Sequence, residues 1–228
     1  MVFSSLTFLL LFLPLVLLLY FLVPKSWKNA ILFIFSLLFY AWGEPIYVGL
    51  MIFSTVLDYC CGRTVEKYRG TSKAKIGLLV SVIVNLSLLC LFKYTDFLIS
   101  TINTIFGSGI PLLNLPLPIG ISFYTFQTMS YTIDVYRGDA KVQKNIISFG
   151  AYVSLFPQLI AGPIVRYRDV AEMLESRREN LPQFSRGVQR FVVGLSKKVL
   201  LANTFGSAWN ALQVTTGTAA AWLGLLCY

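Results

Sequence analysis

Long apolar runs separated by short basic segments dominate this chain. The first run has no charged residue from Met1 to Pro24, which is more than the ~20 residues that a helix needs to cross a bilayer. It lacks the positive segment that opens a secretory signal, so the pattern indicates a retained membrane span. We predict five spans, at about residues 3–23, 29–42, 46–61, 76–92 and 117–136.

The next apolar stretch, residues 145–165, is uncharged but contains Pro157, Gly162 and Pro163. It could cross the membrane, or it could enter and return as a broken helix, which is tolerated where protein or a water-filled cavity surrounds it. Basic residues on both sides favour the second alternative, so we predict a re-entrant segment.

Two further elements follow the re-entrant segment. Residues 184–203 place apolar and basic side chains on opposite helical faces. This pattern predicts a helix on the inner membrane surface, although a helix covering other helices of the same protein fits equally well. Residues 218–228 begin another apolar run of about half a span's length, so we expect the chain to be truncated within a membrane segment.

Composition and charge agree with a membrane protein. Apolar residues make up 56% of the 228 residues and charged residues 13%, against roughly 25% charged residues in soluble domains. The net charge of +9 is carried by segments between the apolar runs, and no nucleic-acid-binding motif accompanies it. Placing the Arg63–Lys75 segment in the cytoplasm puts the N-terminus outside by the positive-inside rule. The predicted fold class is an all-α, multi-span integral membrane protein.

The usual catalytic and metal-binding patterns are missing from these 228 residues. The chain contains no histidine, and hence no imidazole to act as a general base. The cysteines have no metal-ligand spacing; apolar filling of spans explains them, with lipidation of the Cys60–Cys61 pair as an alternative. We therefore predict no metal site, no bound cofactor and no catalytic residue within this sequence.

Polar residues in the fifth span are candidates for function, because polar groups inside a membrane are costly. Tyr124, Gln127, Tyr131 and Asp134 recur every three or four residues and form a polar seam. The seam could line a tunnel for an acyl donor or acceptor, or it could supply hydrogen bonds between helices. We also expect Asp134 to pair with Arg137.

The 156–167 string FPQLIAGPIVRY contains the remaining candidates. A broken helix frees backbone groups, and Gln158 could hydrogen-bond a ligand there. Arg166 and Arg168 follow where the chain is predicted to return to the cytoplasm. Their guanidinium groups could bind the phosphates of a donor such as acetyl-CoA or, equally, lipid head groups.

Three motifs, residues 117–127, 131–137 and 156–167, closely resemble membrane-bound O-acyltransferases of the alginate O-acetyltransferase type, as do residues 1–9 and 40–43. The resemblance implies a ring of tilted helices in a bacterial cell membrane. It also implies transfer of an acetyl group from acetyl-CoA or a similar cytoplasmic thioester to an extracellular partner of SGNH-hydrolase type, which acetylates a polysaccharide.

The chain departs from the family's pattern in one respect, because it contains no histidine. The family's catalytic histidine lies in the second half of the full-length protein, and this chain resembles the first half. We therefore expect the 228 residues alone to be inactive. A non-enzymatic transporter subunit, or a scaffold for an extracellular partner, is the alternative function.

Overall fold

The computed structural model describes residues 3–159, 162–177, 179–215 and 217–228, and every regular element in them is a helix. The chain divides into two compact units, one of Pro14–Arg177 and one of Val2–Leu13 with Arg178–Tyr228.

The first unit contains nine of the α-helices. In chain order they are α1 (Leu13–Leu22), α2 (Lys28–Gly43), α3 (Val48–Lys67), α4 (Ser72–Lys93), α5 (Thr95–Phe106), α6 (Ile121–Arg137), α7 (Ile146–Ser154), α8 (Phe156–Leu159) and α9 (Tyr167–Glu175). A π-helical turn, Phe8–Phe12, precedes α1 along the chain.

Helix α6 is the centre of the first unit. It packs against α3, α4, α7 and α9, while α2 packs against α7 and α8. Its buried residues, among them Ile121, Tyr124 and Val135, cover more than half of the circumference of the helix, and Phe123 and Phe126 on the remaining face are exposed. The predicted span at 117–136 starts before this helix, because Pro116 and Pro118 cannot donate backbone hydrogen bonds and the helix begins only at Ile121.

Helices α3 and α4 are the two in the described residues that are long and apolar enough to cross a membrane, by length and composition. In the most apolar 18-residue stretch of each helix, 39% of α3 and 22% of α4 is buried. The helices at the other three predicted spans are shorter; α6, for example, has 17 residues and is about 25 Å long at 1.5 Å per residue. The all-helical architecture fits a membrane protein, and the crossing of the shorter helices stays a prediction.

The second unit contains one long helical run, followed by a short helix that packs against the end of that run. Helix α10 (Leu181–Ser196) continues through a π-helical segment (Lys197–Ala202) into α11 (Asn203–Gln213), and α12 (Thr218–Cys227) packs against α11. The Asn180 side chain accepts a hydrogen bond from Gln183 N at 2.8 Å and caps this run. The run is thus longer than the helix predicted at 184–203, and α10 keeps its apolar side chains exposed, among them Val188 and Val192.

Gly120 fixes the start of α6 against the end of α8. Its φ of +77° lies in the left-handed region, and a Cβ there would lie 2.9 Å from the Leu159 carbonyl oxygen. Gly70 has a similar φ of +81°, but no atom lies within 4 Å of its added Cβ. An alanine at either position would therefore strain the backbone, but only an alanine at position 120 would also contact the Leu159 carbonyl oxygen.

We expect Gly120→Ala to destabilise the protein by about 2–4 kcal/mol and Gly70→Ala by about 1–2 kcal/mol, since the left-handed conformation alone costs the smaller amount. Thermal or denaturant unfolding of both variants in detergent measures the difference. Equal losses for the two variants would mean that the α6–α8 contact relaxes freely.

Candidate functional site

The four residues of the predicted polar seam lie inside the first unit. Tyr124, Gln127, Tyr131 and Asp134 are all at least nine-tenths buried. Gln127 and Tyr131 have hydrogen-bond partners in the protein, whereas Tyr124 Oη and Asp134 Oδ2 have none among the described residues. The structure therefore brings the seam into the packed core, and its role as a tunnel wall stays a prediction.

The break between α7 and α8 determines where Gln127 points. Pro157 has no N–H, so the helix cannot continue normally through this position. The Phe156 N–H donates to Ser36 Oγ at 3.2 Å rather than to the carbonyl of Tyr152, its partner in a regular helix. The Tyr152 carbonyl is thereby available for side-chain donors.

Two of the predicted site residues use that carbonyl. Gln127 Nε2 donates to Tyr152 O at 2.9 Å, and Gln158 Nε2 donates to the same oxygen at 2.8 Å. In this structure the Gln158 side chain donates to a backbone acceptor, and its predicted contact with a ligand stays a prediction. This shared acceptor connects α6, α7 and α8 at the break. Of the predicted re-entrant segment, Ile160 and Ala161 lie outside the described residues.

An aromatic cluster packs beside the break. The Tyr131 ring lies 4.5 Å from that of Phe149 and 4.9 Å from that of Tyr167, and the Tyr152 ring lies 5.3 Å from that of Tyr167, measured between centroids. Edge-on and tilted pairs at these distances contribute about 0.5–1.5 kcal/mol each beyond burial. The cluster joins α6, α7 and α9.

Hydrogen bonds hold the three tyrosine hydroxyls of the cluster. Tyr131 Oη accepts from Gln143 N at 3.1 Å, Tyr167 Oη accepts from Gln143 Nε2 at 3.0 Å, and Tyr152 Oη donates to Val165 O at 2.8 Å. Burial and, to a smaller extent, the Glu175 carboxylate raise the pKa of Tyr167 to about 12, against the opposing effect of the Gln143 hydrogen bond. The Tyr167 hydroxyl therefore stays protonated near neutral pH.

A cavity of about 190 Å³ opens beside the break. Its walls are mainly apolar, and its polar lining side chains include Gln158 and Arg177. Pockets for drug-sized ligands are about 300–1,000 Å³, so this cavity suits a small acyl group or a narrow chain rather than a whole nucleotide. The lining residues are Leu32, Ala151, Tyr152, Leu155, Gln158, Val170, Met173, Leu174 and Arg177.

Arg177 is held in place at the edge of this cavity. Its Nε donates to Met173 O at 2.7 Å, its Nη1 donates to Tyr20 Oη at 3.3 Å, and its Nη2 contacts Asn29 Oδ1. Asn29 Nδ2 also donates to Ser148 Oγ at 2.8 Å and to Leu174 O at 2.9 Å. Sequence reasoning missed this connection, because residues this far apart along the chain carry no local signal.

Arg166 lies just before α9 and is exposed. Its guanidinium group forms no hydrogen bond or ion pair with any residue of the described ranges. Arg168 Nε lies 3.6 Å from Asp169 Oδ1 and forms an ion pair with that carboxylate. The structure thus leaves Arg166 available to an anion, and neither residue lines the cavity.

Neither of the buried carboxylates Asp58 and Asp134 forms an ion pair with the arginine nearest to it in sequence, among the described residues. Arg63 donates to Tyr59 Oη at 3.3 Å and to Lys144 O at 3.4 Å, not to Asp58. Five residues along a helix amount to about 500°, which places Asp58 and Arg63 on different faces. Asp134 is buried while Arg137 is exposed, so the ion pair predicted between them from the sequence is wrong.

Asp58 instead connects three helices through neutral groups. Ser81 Oγ donates to Asp58 Oδ1, and Asn85 Nδ2 donates to Asp58 Oδ2 at 2.8 Å. Thr132 Oγ1 donates to Oδ1 at 3.5 Å, and Ser54 Oγ donates to Asn85 Oδ1 at 2.8 Å. All five side chains are fully buried. We call these residues the Asp58 network.

Comparison with known proteins finds relatives over the whole chain. The chain is 44% identical to the Pseudomonas syringae pv. tomato protein named "Probable alginate O-acetylase AlgI" and 42% identical to the Pseudomonas aeruginosa protein of the same name. All of this chain and 45% of each relative are covered. A Helicobacter pylori protein named peptidoglycan O-acetyltransferase is 30% identical, over 89% of this chain and 45% of its own length.

The chain therefore spans about half the length of the curated relatives it matches, and corresponds to the N-terminal half of the alginate O-acetylases. No protein-family model matches it, and no solved structure matches it.

Proposed function

Because this chain belongs to the membrane-bound O-acyltransferase family, we propose that it forms the N-terminal helical part of an enzyme that O-acetylates an extracellular polysaccharide. The observation that carries the proposal is the identity of 40–44% to alginate O-acetylases over the full 228 residues. We propose a bacterial cell membrane as the location, with the N-terminus outside.

The proposed donor is acetyl-CoA or a similar cytoplasmic thioester. In the transfer, an acceptor oxygen forms a bond to the acetyl carbonyl carbon, the carbon–sulfur bond breaks, and the acceptor proton ends on the released thiol. We propose that the acetyl group passes to an extracellular hydrolase-like partner of SGNH type, which esterifies the polymer.

The broken helix supports a role in guiding the donor. The apolar cavity of about 190 Å³ could admit the acetyl end of a thioester, with Gln158 at its wall. The exposed guanidinium of Arg166 suits the donor's phosphates. Tyr124, Gln127, Tyr131 and Asp134 would form the adjacent wall of the acyl path.

The function is tested with the protein as its gene encodes it, in inside-out vesicles that contain the purified extracellular partner. Labelled acetyl-CoA is added to the outer, cytoplasmic face, and label on the enclosed partner is measured. We expect transfer that needs both proteins. Partner binding without any transfer of label would favour the scaffold function instead.

Arg166→Lys keeps the charge but removes the planar fork that binds phosphate in two places. We expect it to raise the acetyl-CoA concentration for half-maximal transfer by about 10- to 100-fold, since one charge-assisted hydrogen bond is worth about 1.5–3 kcal/mol. Arg137→Lys is the matched control because Arg137 is also exposed and is not a candidate for the donor's phosphates. Equal effects of the two variants would leave Arg166 as a lipid or structural contact.

The re-entrant topology predicts that residues 144 and 168 face the same side. Single cysteines replacing Lys144 and Arg168, in a cysteine-free background, should both resist a membrane-impermeant thiol reagent added outside intact cells. Both cysteines should react with the same reagent after the membrane is permeabilised. Labelling of only one of them from outside would show that the segment crosses the membrane.

A further inference from the structure

A groove of about 450 Å³ lies between α3 and α4, near the turn that joins them. Its walls are largely apolar, and it includes the side chains of Leu57, Ile76 and Val80. Gly77 lets the two helices approach closely, since a Cβ there would lie 3.3 Å from Val65 Cγ2. The groove therefore runs along the two helices that are long and apolar enough to cross a membrane.

Two lysines lie close to the Tyr68 ring, which lines the end of this groove nearest the turn. Lys73 also lines the groove, whereas Lys67 lines a second pocket that shares Thr64 with the groove. Lys73 Nζ lies 5.1 Å and Lys67 Nζ 5.4 Å from the centroid of the Tyr68 ring. The nearby carboxylate of Glu66 is paired with Arg69 at 2.6 Å. Neither lysine forms an ion pair with a carboxylate in the part of the chain that the structure describes.

We propose that this groove binds an anionic phospholipid, with one acyl chain along α3 and α4 and the phosphate between Lys67 and Lys73. The apolar walls suit an acyl chain, and two unneutralised cations at one end suit a head group with net negative charge. A zwitterionic head group would bring its own positive charge to the same lysines, so it fits less well.

The predicted orientation supports the same occupant. The α3–α4 turn is basic and is placed in the cytoplasm by the positive-inside rule. Anionic lipids give the cytoplasmic leaflet its negative surface potential. The lysine end of the groove would then lie at the depth of those head groups. A soluble phosphate compound would use the lysines but leave the apolar groove empty.

Cys60 provides a direct probe because it is exposed and lines the groove. Cys90 is exposed on the same helix pair but does not line the groove, and it serves as the internal control. We expect phosphatidylglycerol, added to the detergent-purified protein, to slow N-ethylmaleimide alkylation of Cys60 about tenfold relative to phosphatidylcholine. The rate at Cys90 should not change. Tandem mass spectrometry separates Cys60 from its neighbour Cys61.

Charge and shape are then tested separately. The double variant Lys67→Gln/Lys73→Gln should weaken phosphatidylglycerol protection of Cys60 by roughly 10- to 30-fold in concentration, whereas Lys197→Gln/Lys198→Gln, with the same change in charge, should not. Val80→Trp should block protection by filling the groove. Leu79→Trp is the shape control because Leu79 is an exposed neighbour on α4 that does not line the groove.

Several results would overturn the proposal. These are equal protection by both lipids, full protection by glycerol phosphate without acyl chains, and a Cys60 that fails to react in detergent without lipid because protein covers it. Unchanged protection in the lysine double variant would also overturn it. Thermal unfolding of each variant confirms that it is folded before its alkylation rate is used.

Discussion

Replacing Asp58 with alanine is expected to lower the free energy of unfolding by about 2–4 kcal/mol. The change removes the acceptor shared by Ser81, Asn85 and Thr132. Hydrogen bonds between membrane helices average about 0.6 and reach about 1.7 kcal/mol, and a buried donor left without a partner costs about 1–3 kcal/mol. Asn85 keeps a 2.9 Å hydrogen bond to Ser81 O, which limits the loss.

Asparagine at this position should be tolerated far better. Asp58→Asn keeps the shape and one acceptor oxygen for Asn85, and the Ser81 hydroxyl can rotate to accept from the new amide. We expect a loss of about 1 kcal/mol or less, in line with one altered neutral hydrogen bond. This outcome would show that Asp58 acts here as a hydrogen-bond acceptor that positions α3, α4 and α6.

Denaturant or thermal unfolding in detergent measures both variants. Asp139→Ala is the matched control, because Asp139 is exposed and its side chain forms no hydrogen bond with the described residues. A surface change of this kind usually stays within about 0.5 kcal/mol. If Asp58→Ala is no less stable than Asp139→Ala, the Asp58 network does not stabilise the first unit.

The Asp58 network also illustrates what the sequence could and could not predict. Apolar runs predict helices well because burial or lipid contact favours a continuous apolar surface, and α2, α3, α4 and α6 lie where the predicted runs are. The partners of Asp58 depend on which face each helix turns toward its neighbours. Arg63 is closer along the chain than Ser81, yet helical phase directs it to Tyr59 and Lys144 instead.

The break between α7 and α8 also shows which features the sequence predicts and which depend on tertiary contacts. Pro157 predicts a break because its effect on the backbone is local, and α7 ends nearby at Ser154. The convergence of Gln127 and Gln158 on Tyr152 O is a tertiary result, since Ser36, more than a hundred residues away in sequence, takes the Phe156 N–H. The π-helical segments at 8–12 and 197–202 had no sequence signal that we can identify.

The 228-residue chain, purified alone in lipid nanodiscs, is expected to show no acetyl transfer from acetyl-CoA above an empty-nanodisc control. Acyl transfer from a thioester generally uses a base or a nucleophile placed against the carbonyl, and histidine is the commonest base. These residues contain none. A protein extended to the length of its relatives should be active in the same assay.

Carboxylates are the other candidates for a base, and the structure distinguishes the two buried ones. Both oxygens of Asp58 accept hydrogen bonds from the surrounding helices. Asp134 Oδ2 has no partner among the described residues, so Asp134 is the better candidate for a base within this chain. Asp134→Asn is therefore the decisive variant if any turnover is seen.

The comparison of the two lengths makes a negative result informative. If the extended protein transfers acetyl groups and the 228 residues alone do not, the essential base or nucleophile lies outside these 228 residues. This conclusion holds because the lipid and the donor are the same in both assays. Turnover by the 228 residues that disappears in Asp134→Asn would instead identify a carboxylate base in α6. Turnover that persists in Asp134→Asn would also contradict the prediction. It would direct attention to the buried tyrosine hydroxyls, beginning with Tyr124 Oη, which has no hydrogen-bond partner in the part of the chain that the structure describes.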